Sequence, residues 1–277
     1  MSGVLIQAKM NIRALDFREG WKQKMKKFNS YLWQARILPG IIVIIPFAFT
    51  INVIFFGNIF EFNLKWTVIN GIILAFGIVV ANIVRDFGKR KEENLWKIWG
   101  GAPTTRFLRH GNTEYNKYNR ERCHRFLKMK FNGIKMPTAE DEFANPADAD
   151  LKYQAYAEHL IDMTRNTATY PLIFAENKNY GFWRNLYGIK WFGVVTSLVL
   201  VVITLSCICH KNISILNFAS LYHFIGYLNI LFVLFWMFIV REKRIKLVAD
   251  NYAKRLLEAC FNYQEPVKEN GSISFLK

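Results

Sequence analysis

One stretch in the middle of the chain, W-G-G-A-P-T-T-R-F-L-R-H at 99–110, gathers residue types that hold anions. Paired glycines let a ligand approach the backbone. Pro103 can open a helix whose first N–H groups point outward, and Thr104, Thr105, Arg106, Arg109 and His110 add hydroxyls and positive charge. The chemistry would be phosphate or carboxylate binding. It lacks the lysine and spacing of a nucleotide-binding P-loop. The same residues also describe a corner with no ligand: Gly100 and Gly101 suit the end of one helix, and Pro103 the first position of the next. Both readings stand.

A second stretch, N-K-N-Y-G-F-W-R-N-L-Y-G at 177–188, is aromatic and glycine-rich. It reads either as an interfacial aromatic belt or as a coupling hinge built on Gly181, Arg184, Asn185 and Gly188. Catalytic grammar is missing. His110, His124 and His159 belong to no H-E-x-x-H motif, nucleophile elbow or Walker motif. Glu158 and His159 are neighbours and would point about 100° apart on a helix, a poor metal pair. His124, between Arg122 and Arg125, reads as part of a solvated basic face. Cys207 and His210 share a helical face, but two ligands are too few for a structural zinc site. The expectation is therefore no catalytic residue, no metal and no cofactor.

Any such site must be carried by an unusual chain. Hydrophobic residues make up 52% of its 277 positions, yet its formal net charge is +16. Four runs, at 37–57, 66–84, 191–209 and 218–240, contain no Asp, Glu, Lys or Arg. Each is close to the roughly 20 apolar residues that cross a bilayer as helix. The basic residues crowd between and beyond these runs. There are eight Lys/Arg before the first, 19 in 85–190 and eight after the fourth, against Lys65 and Lys211 alone in the other two loops. This asymmetry places both termini and the long middle loop in the cytoplasm. It also explains the positive charge by anionic lipid rather than nucleic acid. Cys123 and Cys260 then face a reducing compartment, where no disulfide framework is expected.

The predicted fold is an all-α integral membrane protein of four transmembrane helices in two hairpins, with a helical cytoplasmic domain. A basic amphipathic segment occupies 1–36, with a helix over 9–36, and the cytoplasmic domain 85–190. The second run is expected to continue as helix towards Gly100. The fourth is expected to run unbroken into a helical extension over 241–265, followed by a flexible tail at 266–277. In the middle loop, helix is predicted over 116–131, loop over 132–150 and helix from about 150. Inside the spans Pro46 should kink the first helix, and Asn70, Asn82, His223 and Asn229 stand out as intramembrane polar groups. His223 is ionisable and lies in the outer part of its run, where an interfacial hydrogen bond competes with a functional role.

The two stretches together, W-G-G-A-P-T-T and Y-G-F-W-R-N-L-Y-G, resemble the WGGxPTT and YGFxRNLxG motifs of a family of uncharacterised bacterial multi-pass membrane proteins. The resemblance covers 94–190 best. It implies this architecture and a bacterial inner-membrane origin, and no catalytic residues. The leading expectation is a non-enzymatic oligomeric membrane protein whose cytoplasmic domain senses a ligand or partner and acts on the membrane. A pore or membrane-perturbing effector in defence or stress would be its concrete form. A passive scaffold recruiting a soluble partner, and a membrane enzyme acting on lipid head groups or nucleotides, are the alternatives. Expected partners are a bilayer with anionic lipids, further copies of the chain, and a cytoplasmic protein or nucleotide ligand; direct nucleic-acid binding is not expected.

Overall fold

A computed structural model describes residues 30–59, 63–131, 133–214 and 220–262. The amphipathic segment over 9–36 lies outside these residues except for 30–36, as do the tail at 266–277 and the last residues of the expected 241–265 extension. Among the described residues the protein is helical, with no strand. Four helices are long and apolar enough to cross a membrane: α1 (Leu32–Phe56), α2 (Leu64–Ile98), α8 (Lys190–His210) and α9 (Leu221–Ile239). The shorter helices are α3 (Pro103–Leu108), α4 (Lys117–Lys130), α5 (Ala139–Ala144), α6 (Pro146–Met163), α7 (Pro171–Gly188) and α10 (Glu242–Asn262).

The chain divides into two compact units. One comprises residues up to Gly101 with Pro171–Tyr252, and the other Ala102–Tyr170 with the chain from Ala253. In the first unit α1 packs against α2, and α8 against α9, with further contacts of α1 to α8 and α9. Asn63 caps α2 by accepting from the Trp66 N–H, and Ser220 caps α9 by accepting from Tyr222. Pro46 lies inside α1, which continues helical through it. Helix α2 runs on past its apolar run through R-D-F-G-K-R to Ile98.

The fourth apolar run behaves differently. The last turn of α9, Phe235–Ile239, winds as π-helix, and Val240, at φ −84° and ψ 82°, leaves the helix before α10 begins. The expected unbroken helix is thus interrupted. The Val240 N–H bonds back to the Phe235 carbonyl, which closes the π turn. That turn seats Trp236, fully buried, on α8 at Gly193, where a Cβ would lie 2.2 Å from the indole. Apolar spacing continues on both sides of the break, so periodicity carries no mark of it.

In the second unit the C-terminal half of α10 packs with α4 and α3. The Cys123 thiol donates to the Leu257 carbonyl, Arg122 lies over Phe261, and Lys254 over Phe107. Phe107, Leu127, Tyr153, Tyr156, Leu160, Leu256 and Leu257 are fully buried there. The expected loop over 132–150 contains helix instead, α5 and the first turn of α6. Thr138 and Asp141 form a reciprocal capping box, and Asn145 caps α6 with Pro146 in its first turn. The proline and acidic residues that read as a loop are helix starts, where a missing N–H costs nothing and negative charge meets the positive end of the dipole.

Candidate functional site: a charged cleft in the second unit

The corner at 99–103 has the geometry its residues ask for. Gly100 and Gly101 take φ of 80° and 133°, a backbone region closed to most side chains. The Gly101 N–H returns to the Trp96 carbonyl at 2.7 Å, closing α2. Pro103 then opens α3. Downstream, the residues expected to hold an anion separate. Thr105 and Arg106 are buried, and Arg106 pairs with Glu114 at 3.0 Å. Thr104 is half-buried. Arg109 and His110 reach the wall of an open cleft of about 740 Å³, lined also by Gly111, Ala139, Glu142, Phe143, Pro146 and Asp150.

Carboxylates hold this cleft together. Arg109 donates to both oxygens of Asp150, at 2.7 and 2.5 Å, a two-pronged ion pair. The hydrogen bond to Asp150 also raises the Arg109 pKa above its ordinary value. Glu142 accepts from the backbone N–H of His110 at 2.8 Å and from the Tyr153 hydroxyl at 2.9 Å. One carboxylate on α5 thus ties the 109–111 turn to α6. The His110 ring lies with Nε2 3.0 Å from the Pro137 carbonyl.

Behind His110 sits His124, 4.8 Å away in an edge contact, and behind that Tyr153, stacked at 5.9 Å. His124 is not on a solvated face: it is buried, with Nε2 2.7 Å from the Leu108 carbonyl. Since a carbonyl only accepts, that nitrogen carries the proton. Burial pushes the His124 pKa down to about 4, so the ring is neutral at physiological pH. Burial, and next the bond to Glu142, push the Tyr153 phenol well above its usual range. His159 lies elsewhere, stacked on Phe131 at 4.6 Å. The cleft is therefore lined by charges that pair with one another, and the neutral His124 ring lies behind it. An anion entering it would have to compete with Asp150 for Arg109. Phe143, 91% exposed, stands at its rim.

In the first unit, the candidate hinge residues are all contacts of α7. Gly181 lies against Ala35 and the Tyr31 hydroxyl, Arg184 pairs with Glu92 at 3.1 Å, and Asn185, fully buried, donates to the Ala35 carbonyl at 2.6 Å. A Cβ on Gly188 would fall 2.5 Å from the Gly88 nitrogen, so two helix backbones touch there. Gly188 ends α7, with Ile189 alone between it and the start of α8. Among the polar groups within the apolar runs, Asn70 exchanges hydrogen bonds with Asn52 at 3.0 Å. Asn229, fully buried, donates to the hydroxyls of Thr50 and Thr204, which joins α9 to α1 and α8. His223 is buried, and its Nδ1 has no partner. Asn82 is exposed.

Glu142, Asp150, Tyr153 and the burial of His124 were beyond sequence reasoning. The one available signal was the acidic cluster at 140–150 in so basic a chain, which asks for a cationic neighbour. Among the described residues no group of three or more His, Cys, Asp or Glu side chains is placed to hold a metal.

Fold and site define an all-helical, multi-pass membrane protein with a charged cleft on a separate helical unit. Comparison with protein families, with curated proteins and with solved structures finds no match.

Proposed function

We propose that this chain is a non-enzymatic, oligomeric protein of a bacterial inner membrane, a member of the multi-pass group whose motifs it resembles. Its spans form two hairpins. Both termini and the second unit lie in the cytoplasm, on the side that carries eight, 19 and eight basic residues. The second unit receives a ligand or partner in the Arg109–His110–Glu142–Asp150 cleft and acts on the membrane as a pore or perturbing effector in defence or stress. The observation that carries this reading is the preformed, open cleft whose charged groups pair with one another. The chain passes between the units after Gly101, after Tyr170 and within α10, so a change in the second unit has three covalent routes to the first.

Dye-loaded anionic liposomes carrying the protein test it. Addition of a nucleoside phosphate that binds the cleft should release the dye, and Ala139→Trp, which fills the cleft wall, should abolish both binding and release. Binding without release sinks the pore; release that persists in Ala139→Trp sinks control by the cleft.

A second reading has its own support. Tyr118, Met129, Phe143 and Leu151 are large apolar side chains exposed on the second unit, as a scaffold for a soluble protein would present. Recovery of a stoichiometric partner with unchanged membrane permeability would favour it.

A further inference from the structure

In the first unit, one cation stands at the start of α8 and another at the break before α10. Ile189 and Val240 bury into one apolar cluster with Val194 and Trp236. Lys190 and Arg241 are the next residues along the chain, so both cations start from backbone anchored at that one cluster. Like charges so placed repel unless an anion lies between them. The carboxylates on neighbouring elements are engaged elsewhere: Asp86 pairs with Arg85, Glu92 with Arg184, and Glu242 accepts from the Trp99 indole. Among the described residues neither Lys190 nor Arg241 has a carboxylate partner.

The surroundings say what kind of anion fits. The Lys190 ammonium lies over the Trp191 ring at 5.7 Å, and the Arg241 guanidinium over Phe238 at 5.9 Å. Both rings are turned outward, 67% and 55% exposed, at the ends of two membrane-length helices. A ligand here meets two positive charges on one side and bare apolar helix on the other. A free phosphate uses only the first. A phospholipid uses both, its phosphate between Lys190 and Arg241 and its acyl chains along α8 and α9. We infer that Lys190 and Arg241 form a binding site for the phosphate of an anionic phospholipid. The inference depends on the spans and not on the cleft of the second unit.

The test is thermal unfolding of the purified full chain in neutral detergent. Phosphatidylglycerol, phosphatidylcholine or inorganic phosphate is titrated in. Phosphatidylglycerol should raise the unfolding midpoint, and K190Q/R241Q should need about tenfold or more of it for the same rise. K190R/R241K, which keeps both charges, should respond as the natural chain does. K117Q/K128Q, which removes two lysines from the other unit, should as well. If K190Q/R241Q does not fold, K190R/R241K still decides: loss of its response would overturn a site built on charge. An equal response of K190Q/R241Q and the natural chain overturns the inference. So does a rise with inorganic phosphate equal to that with phosphatidylglycerol, which would assign a free anion in place of a lipid.

Discussion

His124 shows how far a side chain's neighbours in space can differ from its neighbours in sequence. Between Arg122 and Arg125 it looks solvated, yet α4 turns it inward between His110 and Tyr153. Its pKa of about 4 in the folded protein lies below the ordinary value of 6.5. The unfolded chain therefore takes up the proton first. Above pH 6.5 the difference costs nothing; between 6.5 and 4 folding must exclude a proton that the unfolded chain binds. Stability should fall across that window by up to about 3 kcal/mol. Unfolding midpoints measured from pH 7.5 to 4.5 should drop more steeply for the natural chain than for His124→Gln, which keeps a donor for the Leu108 carbonyl and cannot titrate. Equal slopes would show that His124 is not the group responsible. Half of this site was legible in the sequence. Arg109 and His110 were visible because they sit together on a glycine-flanked turn. Glu142 and Asp150 were not, since an ion pair across 41 residues leaves no local spacing to read.

At the scale of elements, two of the apolar runs coincide with helices to within three residues, 191–209 with Lys190–His210 and 218–240 with Leu221–Ile239, while α1 starts earlier than its run and α2 continues well past its own. An uninterrupted stretch without charge can satisfy its backbone in a bilayer only as helix. What escaped were features set by one helix meeting another, such as the π turn around Trp236 and the contact of α7 with α2. The second makes a sharp prediction. A Cβ at Gly188 would lie 2.5 to 2.8 Å from three backbone atoms of Phe87 and Gly88, and backbone cannot step aside as a flexible side chain can. Gly188→Ala should destabilise the first unit by about 1–3 kcal/mol, the range for overpacking. Gly71, inside α2, has nothing within 4 Å of its would-be Cβ. Gly71→Ala should leave the unfolding midpoint unchanged or raise it, by the propensity gain of about 1 kcal/mol at most. If the two variants unfold alike in detergent, the backbone contact is not as close as described.

For the whole molecule, the distribution of charge makes a prediction about orientation. Lysine and arginine flanking a span are held on the cytoplasmic side, whereas short loops poor in them are free to cross. Here 35 of 37 basic residues fall in the three segments that an even number of spans places on one side, leaving Lys65 and Lys211 for the other. Two exposed positions report the two sides: Asn58, in the chain between α1 and α2, and Thr113, in the second unit between α3 and α4. Each can be changed to cysteine after Cys207 and Cys209 are replaced by serine. Cys123 and Cys260 are buried away from the reagent, and the hydrogen bond with Cys123, and next burial, push the Cys260 pKa far up, which keeps that thiol from the thiolate form the reagent needs. A membrane-impermeant maleimide added to intact cells should then label Asn58→Cys at once and Thr113→Cys only after the membrane is permeabilised. The reverse pattern would put the charged cleft outside, where no cytoplasmic ligand could reach it. Labelling of both in intact cells would mean that the 66–84 run of α2 does not separate the two sides, and the four-span reading would fail with it.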